Sequence, residues 1–507
     1  MSGRVLVRVL VLVVLCLGPA ASAGAQGSAE IVAHPSELTY GPLDFELPDA
    51  DGFRRELAGG VPAYLVPDRS LPLVDIAVRF RIGSWLEPVE QTGLAALTGE
   101  LMRTGGAGEL EAKAFDEAVE AVAGNFSAFI GSTSAGMSMN CLSTVLDECL
   151  DLFFSMLTEP RFDGDRLDLA KENELESLKQ RNDDPVDVAG REGQWLLYGP
   201  DHVESRFVTA ASLDAVGRDD LGAFHRRYVH PGHMVVAAAG DFDSDELAVK
   251  LSALLGRFEE EGREQAPWPP RSAAYEPAPG VYVAQQDIPQ GRVQIGHRTF
   301  QRDDWDDPDH FALEMMDAVL GNGGFTTRLM KRIRSDEGLA YGAYSSFGVG
   351  SFWPGNLSIT FQSKSETVAF AAKIALEEVD RIRTEPVSED ELQTVKASAI
   401  ETFPSNFESA VAVARIFAQD EFLGRPHDYW RTYRANVEAV TPADVMRVAE
   451  QHLLPDRLVM LVVGDWEAIE PGDSDGRATM TEVAGKIGGG VTMLPARDPV
   501  SLQVVEQ

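Results

Sequence analysis

The feature that most constrains this chain is a repeat of very long period. Asp220-Leu221 opens an amphipathic stretch that passes Phe224 and Tyr228, turns at Pro231, and enters an apolar strand over 234–239 closed by Gly240-Asp241. The same order returns at Asp444-Val445, Pro455, residues 458–463 and Gly464-Asp465, each landmark 224 residues later. A period of about 20–50 residues would mean a solenoid. A period of 224 is the length of a domain, so the chain reads as a duplicated one. In residues 74–82, Val74, Ile76, Val78, Phe80 and Ile82 share one face while Asp75, Arg79 and Arg81 share the other, the pattern of a half-buried strand. Residues 165–181 and 366–383 carry helical spacing with charged outer faces. The expected fold class is therefore α+β: two homologous α/β sandwiches, each an antiparallel sheet with helices packed on it.

The copies occupy residues 40–258 and 281–470, with an acidic, Pro-rich linker over 259–280 (Glu259-Glu260-Glu261, then Pro267, Trp268, Pro269, Pro270) and an appended tail over 471–507. Residues 1–25 read as a signal peptide. Arg4 and Arg8 are its basic region, an apolar run begun at Val5 continues over 9–17, and small residues around Ala23 and Ala25 suit cleavage. The expected location is outside the cytoplasm, most simply the periplasm, with no membrane attachment after cleavage. With 44 Lys+Arg against 80 Asp+Glu the chain carries −36, about −38 without the signal peptide, which excludes a nucleic-acid partner. Cys141 and Cys149 remain after cleavage. Export permits a disulfide between them; two small buried residues is the other reading.

Two stretches, one in each half, resemble the pitrilysin/insulinase family of zinc metallopeptidases. The first runs Tyr64-Leu65-Val66-Pro67-Asp68, Gly83-Ser84-Trp85-Leu86-Glu87-Pro88 and Gly93-Leu94-Ala95. The second runs Leu320-Gly321-Asn322-Gly323-Gly324-Phe325, Arg328-Leu329-Met330, Ile333-Arg334 and Gly338-Leu339-Ala340-Tyr341. In the family the first stretch leads into H-x-x-E-H on a helix, two His for zinc and a Glu to take a proton from the metal-bound water. Here those positions hold Ala96, Gly99 and Glu100, and the distant third-ligand position arrives at Ser177, beside Glu174 and Glu176. Ala and Gly neither ligate nor transfer protons. The resemblance thus implies a chain with no zinc and no catalysis of its own. Arg334 and Tyr341, seven apart, match the family pair that reaches over the partner half's zinc site, so they are the expected substrate-binding residues.

His225, His230 and His233 form H-x4-H-x2-H, which reads either as a relocated metal site or as surface and interface histidines. Residues 321–324 read as a tight turn or as a flexible lip against peptide; 125–128 resemble the family strand to which substrate adds. The resemblance implies a non-catalytic subunit of a two-chain peptidase, with peptide as ligand and a homologous zinc-bearing subunit as partner. The alternatives are a structural or peptide-binding member with no peptidase role, and a hydrolase with a relocated metal.

Overall fold

Strand β6 (Met234–Gly240) and its repeat β11 (Val459–Gly464) are apolar at nearly every position, and each lies at the centre of a six-stranded sheet. The computed structural model describes residues 45–268, 275–305 and 307–505. The chain divides into a unit Met1–Phe45 and a unit Glu46–Gln507; the predicted signal peptide, 1–25, lies outside the described residues, as do linker residues 269–274.

The first sheet contains β1 (Arg54–Leu57), β2 (Val61–Pro67), β3 (Leu73–Phe80), β4 (Asn125–Ile130), β5 (Ala135–Leu142) and β6, in the order β1-β2-β6-β3-β5-β4. The second contains β7 (Gly280–Gln285), β8 (Gln290–Arg298), β9 (Ala340–Phe347), β10 (Asn356–Lys364), β11 and β12 (Val491–Met493), in the order β12-β7-β11-β8-β10-β9. The expected α+β class and the duplication are both present. The sheets are mixed rather than purely antiparallel. β2 pairs parallel with β6, and β7 with β11; the connection within each pair runs through three further strands and several helices, long enough to return the chain in the same direction. In β3, Val74, Ile76, Val78 and Phe80 are buried in alternation, as their spacing demands.

One face of each sheet meets helices of its own half and builds a separate core. The other face is covered by a helix from the opposite half. Helix Ala410–Leu423 lies on β6 and β2, where Phe417 meets the Tyr64 ring and Glu421 accepts from the Tyr64 hydroxyl at 2.8 Å. Helix Pro185–Tyr198 lies on β11 and β8, where Val188 and Ala189 pack on Leu461 and Val463. This exchange explains the two-sided apolarity of β6 and β11.

The last segment is no loose appendage. Helix Met480–Ile487 buries Met480, Val483 and Ile487 in the second core, and β12 adds a sixth strand beside β7. That edge is held in the first sheet by β1, which precedes β2, so the two copies complete their sheets from opposite ends of the repeat.

Candidate functional site

The helix Leu94–Thr104 carries the positions where the metal motif would stand. Its start is fixed by Glu87, whose buried carboxylate accepts from the N–H groups of Gly93 at 3.0 Å and Ala95 at 2.7 Å. Those donors have no partner inside the helix, and an anion is favoured there. Burial nevertheless pushes the Glu87 carboxyl above its ordinary range.

Ala96 and Glu100 lie on the exposed side of this helix, and Gly99 faces inward. A Cβ on Gly99 would stand 2.6 Å from the Ile130 nitrogen and 2.8 Å from the Phe129 carbonyl carbon. The β4 backbone therefore occupies the space that a glutamate side chain would need. Ser177 is exposed near the end of helix Gly164–Lys179. The carboxylate that this helix sets against Glu100 is instead that of Glu174; burial first, and then the Glu174 charge, raise the Glu100 carboxyl. Two acids and no imidazole do not suit zinc. Among the described residues no group of three or more His, Cys, Asp or Glu side chains could hold a metal.

The three histidines are buried rather than at the surface. Nε2 of His225 is bonded to the Leu157 carbonyl at 2.8 Å, and burial holds that imidazole down to about 4. Both ring nitrogens of His230 and His233 are taken by backbone groups. Cys141 and Cys149 are free and buried, and their thiols hydrogen-bond to each other.

In the second half the sequence-predicted pair does come together. Arg334 lies on a π-helical turn, Met330–Asp336, and Tyr341 begins almost at once on the edge strand β9. Wide turns of this kind recur at functional sites. The Arg334 guanidinium stacks 4.7 Å from the Phe325 ring centroid and 4.9 Å from that of Tyr341. Both rings face solvent, at 69% and 85% exposure. Gly321 lets this region approach β9, since a Cβ there would meet the Ser345 nitrogen at 2.3 Å, and Gly324 adopts φ +81°. The glycine run thus spans the end of a π-helical turn, Ala318–Asn322, and the start of a short 3-10 turn, Gly324–Thr326, which presents Phe325. Buried Asp317 fastens it from below, accepting from the Ser345 hydroxyl at 2.5 Å and the Phe347 N–H at 3.0 Å.

Neighbouring arginines are spent on carboxylates. Arg328 forms a two-pronged pair with Glu391 at 2.8 and 3.0 Å, and Arg332 reaches Glu377 at 3.1 Å and Glu378 at 3.0 Å. Among the described residues Arg334 has no such partner, and its Nη1 is buried without an acceptor. A guanidinium set over two exposed rings and without a carboxylate partner among the described residues is suited to an oxygen acceptor brought by a ligand. Phe325 is the member that motif reading missed; its signal was an aromatic side chain directly after Gly323-Gly324.

Two duplicated sandwiches, a helix without metal ligands at the expected positions and an Arg/Tyr pair define a peptidase-like fold. The chain belongs to the pitrilysin/insulinase family: residues 65–191 match Insulinase (Peptidase family M16), and 215–399 match the Peptidase M16 inactive domain. It is 30% identical over 276 residues to an uncharacterized zinc protease of Mycobacterium leprae, an alignment covering 52% of this chain and 61% of that protein. It is 24% identical over 409 residues to a non-peptidase homologue of Helicobacter pylori, covering 80% of this chain and 92% of the relative. The fold is similar to the crystal structure of a peptidase M16 inactive domain from Pseudomonas fluorescens, with TM-score 0.73 and 23% identity over 81% of this chain and 97% of that one.

Proposed function

We propose that this chain is the non-catalytic subunit of an exported two-chain zinc peptidase, binding peptide through Arg334 and Tyr341 beside a zinc-bearing homologous partner. One observation carries the reading. Among the arginines at 328, 332 and 334, two are paired with carboxylates, while Arg334 lies over the Phe325 and Tyr341 rings with no acid partner among the described residues. The β9 edge beside it has backbone groups available to an extended peptide. The test is co-purification of the partner chain, followed by a peptidase assay with Arg334→Ala and Tyr341→Phe in this chain. The proposal expects each variant to lower kcat/KM about tenfold or more while the pair of chains stays assembled. Unchanged hydrolysis in both variants overturns it.

A structural or peptide-binding role with no peptidase partner is the second reading, favoured by the close seating of β4 on Gly99. Absence of any zinc-bearing homologue from the purified assembly would select it. The net charge of −36 adds an expectation common to both: basic peptides bind more tightly at low salt.

A further inference from the structure

Away from Arg334, the most fully specified polar arrangement lies under the linker. His230 and His233 sit at the turn between helix Arg218–Tyr228 and β6, with ring centroids 4.3 Å apart. Each ring faces one backbone carbonyl and one backbone N–H, which fixes its tautomer. His233 donates from Nδ1 to the Tyr228 carbonyl at 2.9 Å and accepts at Nε2 from the Ala266 N–H at 2.9 Å. His230 donates from Nε2 to the Glu264 carbonyl at 3.0 Å and accepts at Nδ1 from the Gly232 N–H at 3.2 Å. One nitrogen of each ring therefore grips the linker. Just beyond, Trp85 donates to the Pro267 carbonyl at 3.2 Å. Trp268 lies 5.1 Å from the Arg81 guanidinium of the first half and 6.0 Å from the Phe352 ring of the second.

We propose that His230 and His233 form an acid-released clasp. Neutral, they hold residues 264–268 on the first half, with Trp268 bridging to the second; protonated, the pair loses the His233 bond to Ala266 and that segment loosens. A proton on His233 Nε2 sets an N–H against the Ala266 N–H, so protonation and the linker bond exclude each other. A proton on His230 Nδ1 opposes the Gly232 N–H but leaves the Nε2 bond to the Glu264 carbonyl in place, so His230 acts on the clasp by setting a second cation beside His233. The cations that act on the pair are Arg263 at His230 and Arg81 at His233, and Glu264 is paired with Arg227 at 3.2 Å. Burial and these cations keep both imidazoles below the ordinary histidine range, so the clasp is shut at neutral pH and opens only as pH falls below that range.

The experiment is amide hydrogen exchange on the full chain at pH about 7.5 and about 5, corrected for intrinsic rates, comparing 264–268 with 234–240. The clasp expects protection of 264–268 to fall about tenfold or more in acid while 234–240 keeps its protection, and expects His233→Gln to abolish that difference. A Gln amide can accept from Ala266 and donate to Tyr228 without titrating. If His233→Gln fails to fold, the NMR titration of His233 replaces it and must share its midpoint with the release of 264–268. Protection unchanged by acid, a variant that still loosens, or midpoints that disagree would each overturn the clasp.

Discussion

A single missing side chain decides what the first half can do. With the β4 backbone 2.6 Å from where a Gly99 Cβ would stand, Gly99→Ala is expected to cost about 1–3 kcal/mol in chemical denaturation. The triple variant Ala96→His, Gly99→Glu, Glu100→His is expected to bind no stoichiometric zinc. Equimolar zinc by metal analysis would show that β4 yields. None of this closeness was legible in the sequence, where Gly99 registers only as a lost glutamate. His225 makes a second prediction at this scale. In the fold it takes a proton only near 4, against 6.5 for the free side chain, so the unfolded chain binds more protons in between. Its contribution is full above 6.5 and is lost as pH falls toward 4. The stability gap between the natural chain and His225→Gln should therefore shrink by about 3 kcal/mol from pH 7.5 to 4; a gap that stays constant refutes it.

Among the elements, the strands were the most legible. β3 alternates because one face meets a core, and β6 and β11 are apolar throughout because both faces do. What covers the second face was not legible, since a hydrophobic pattern states that a surface is buried but not by which segment. The π-helical turn carrying Arg334 was equally hidden, because its register depends on Asp317, Gly321 and β9, not on helix propensity. Beside that turn the Arg328–Glu391 pair is an anchor. It holds the Glu391 carboxyl at about 2, below its ordinary 4.5, so its contribution is present above 4.5 and is lost as pH falls toward 2. Glu391→Gln should cost about 2–3 kcal/mol at neutral pH and nothing near pH 2. Arg334 and Tyr341 should keep their activity in that variant if the turn survives. A drop in both stability and peptide binding would show that the anchor also positions the turn.

At the scale of the whole molecule, the C-terminal segment straps both halves. Leu494 donates to the Val283 carbonyl at 2.7 Å in the second sheet. Asn182 and Ala210 of the first half meet the carbonyls of Arg497 and Val500 at 2.9 and 3.2 Å. Arg497 also stacks 4.4 Å from the Trp195 ring and approaches buried Glu192 at 3.8 Å. Removing residues 494–507 should lower stability by about 2 kcal/mol or more, read as a lower Tm. The sequence presented this stretch as a tail because its glycines and prolines conceal contacts that lie hundreds of residues away.

The exchanged helices make the two copies something other than neighbours. Cut between 258 and 281, neither fragment owns the helix that roofs its own sheet, so each alone would expose a broad greasy face and aggregate. Made together, the fragments should find one another and rebuild the intact particle, as two strangers holding each other's keys. Duplication here has created mutual dependence: each half is expected to lose the cover of its own sheet when the other is removed.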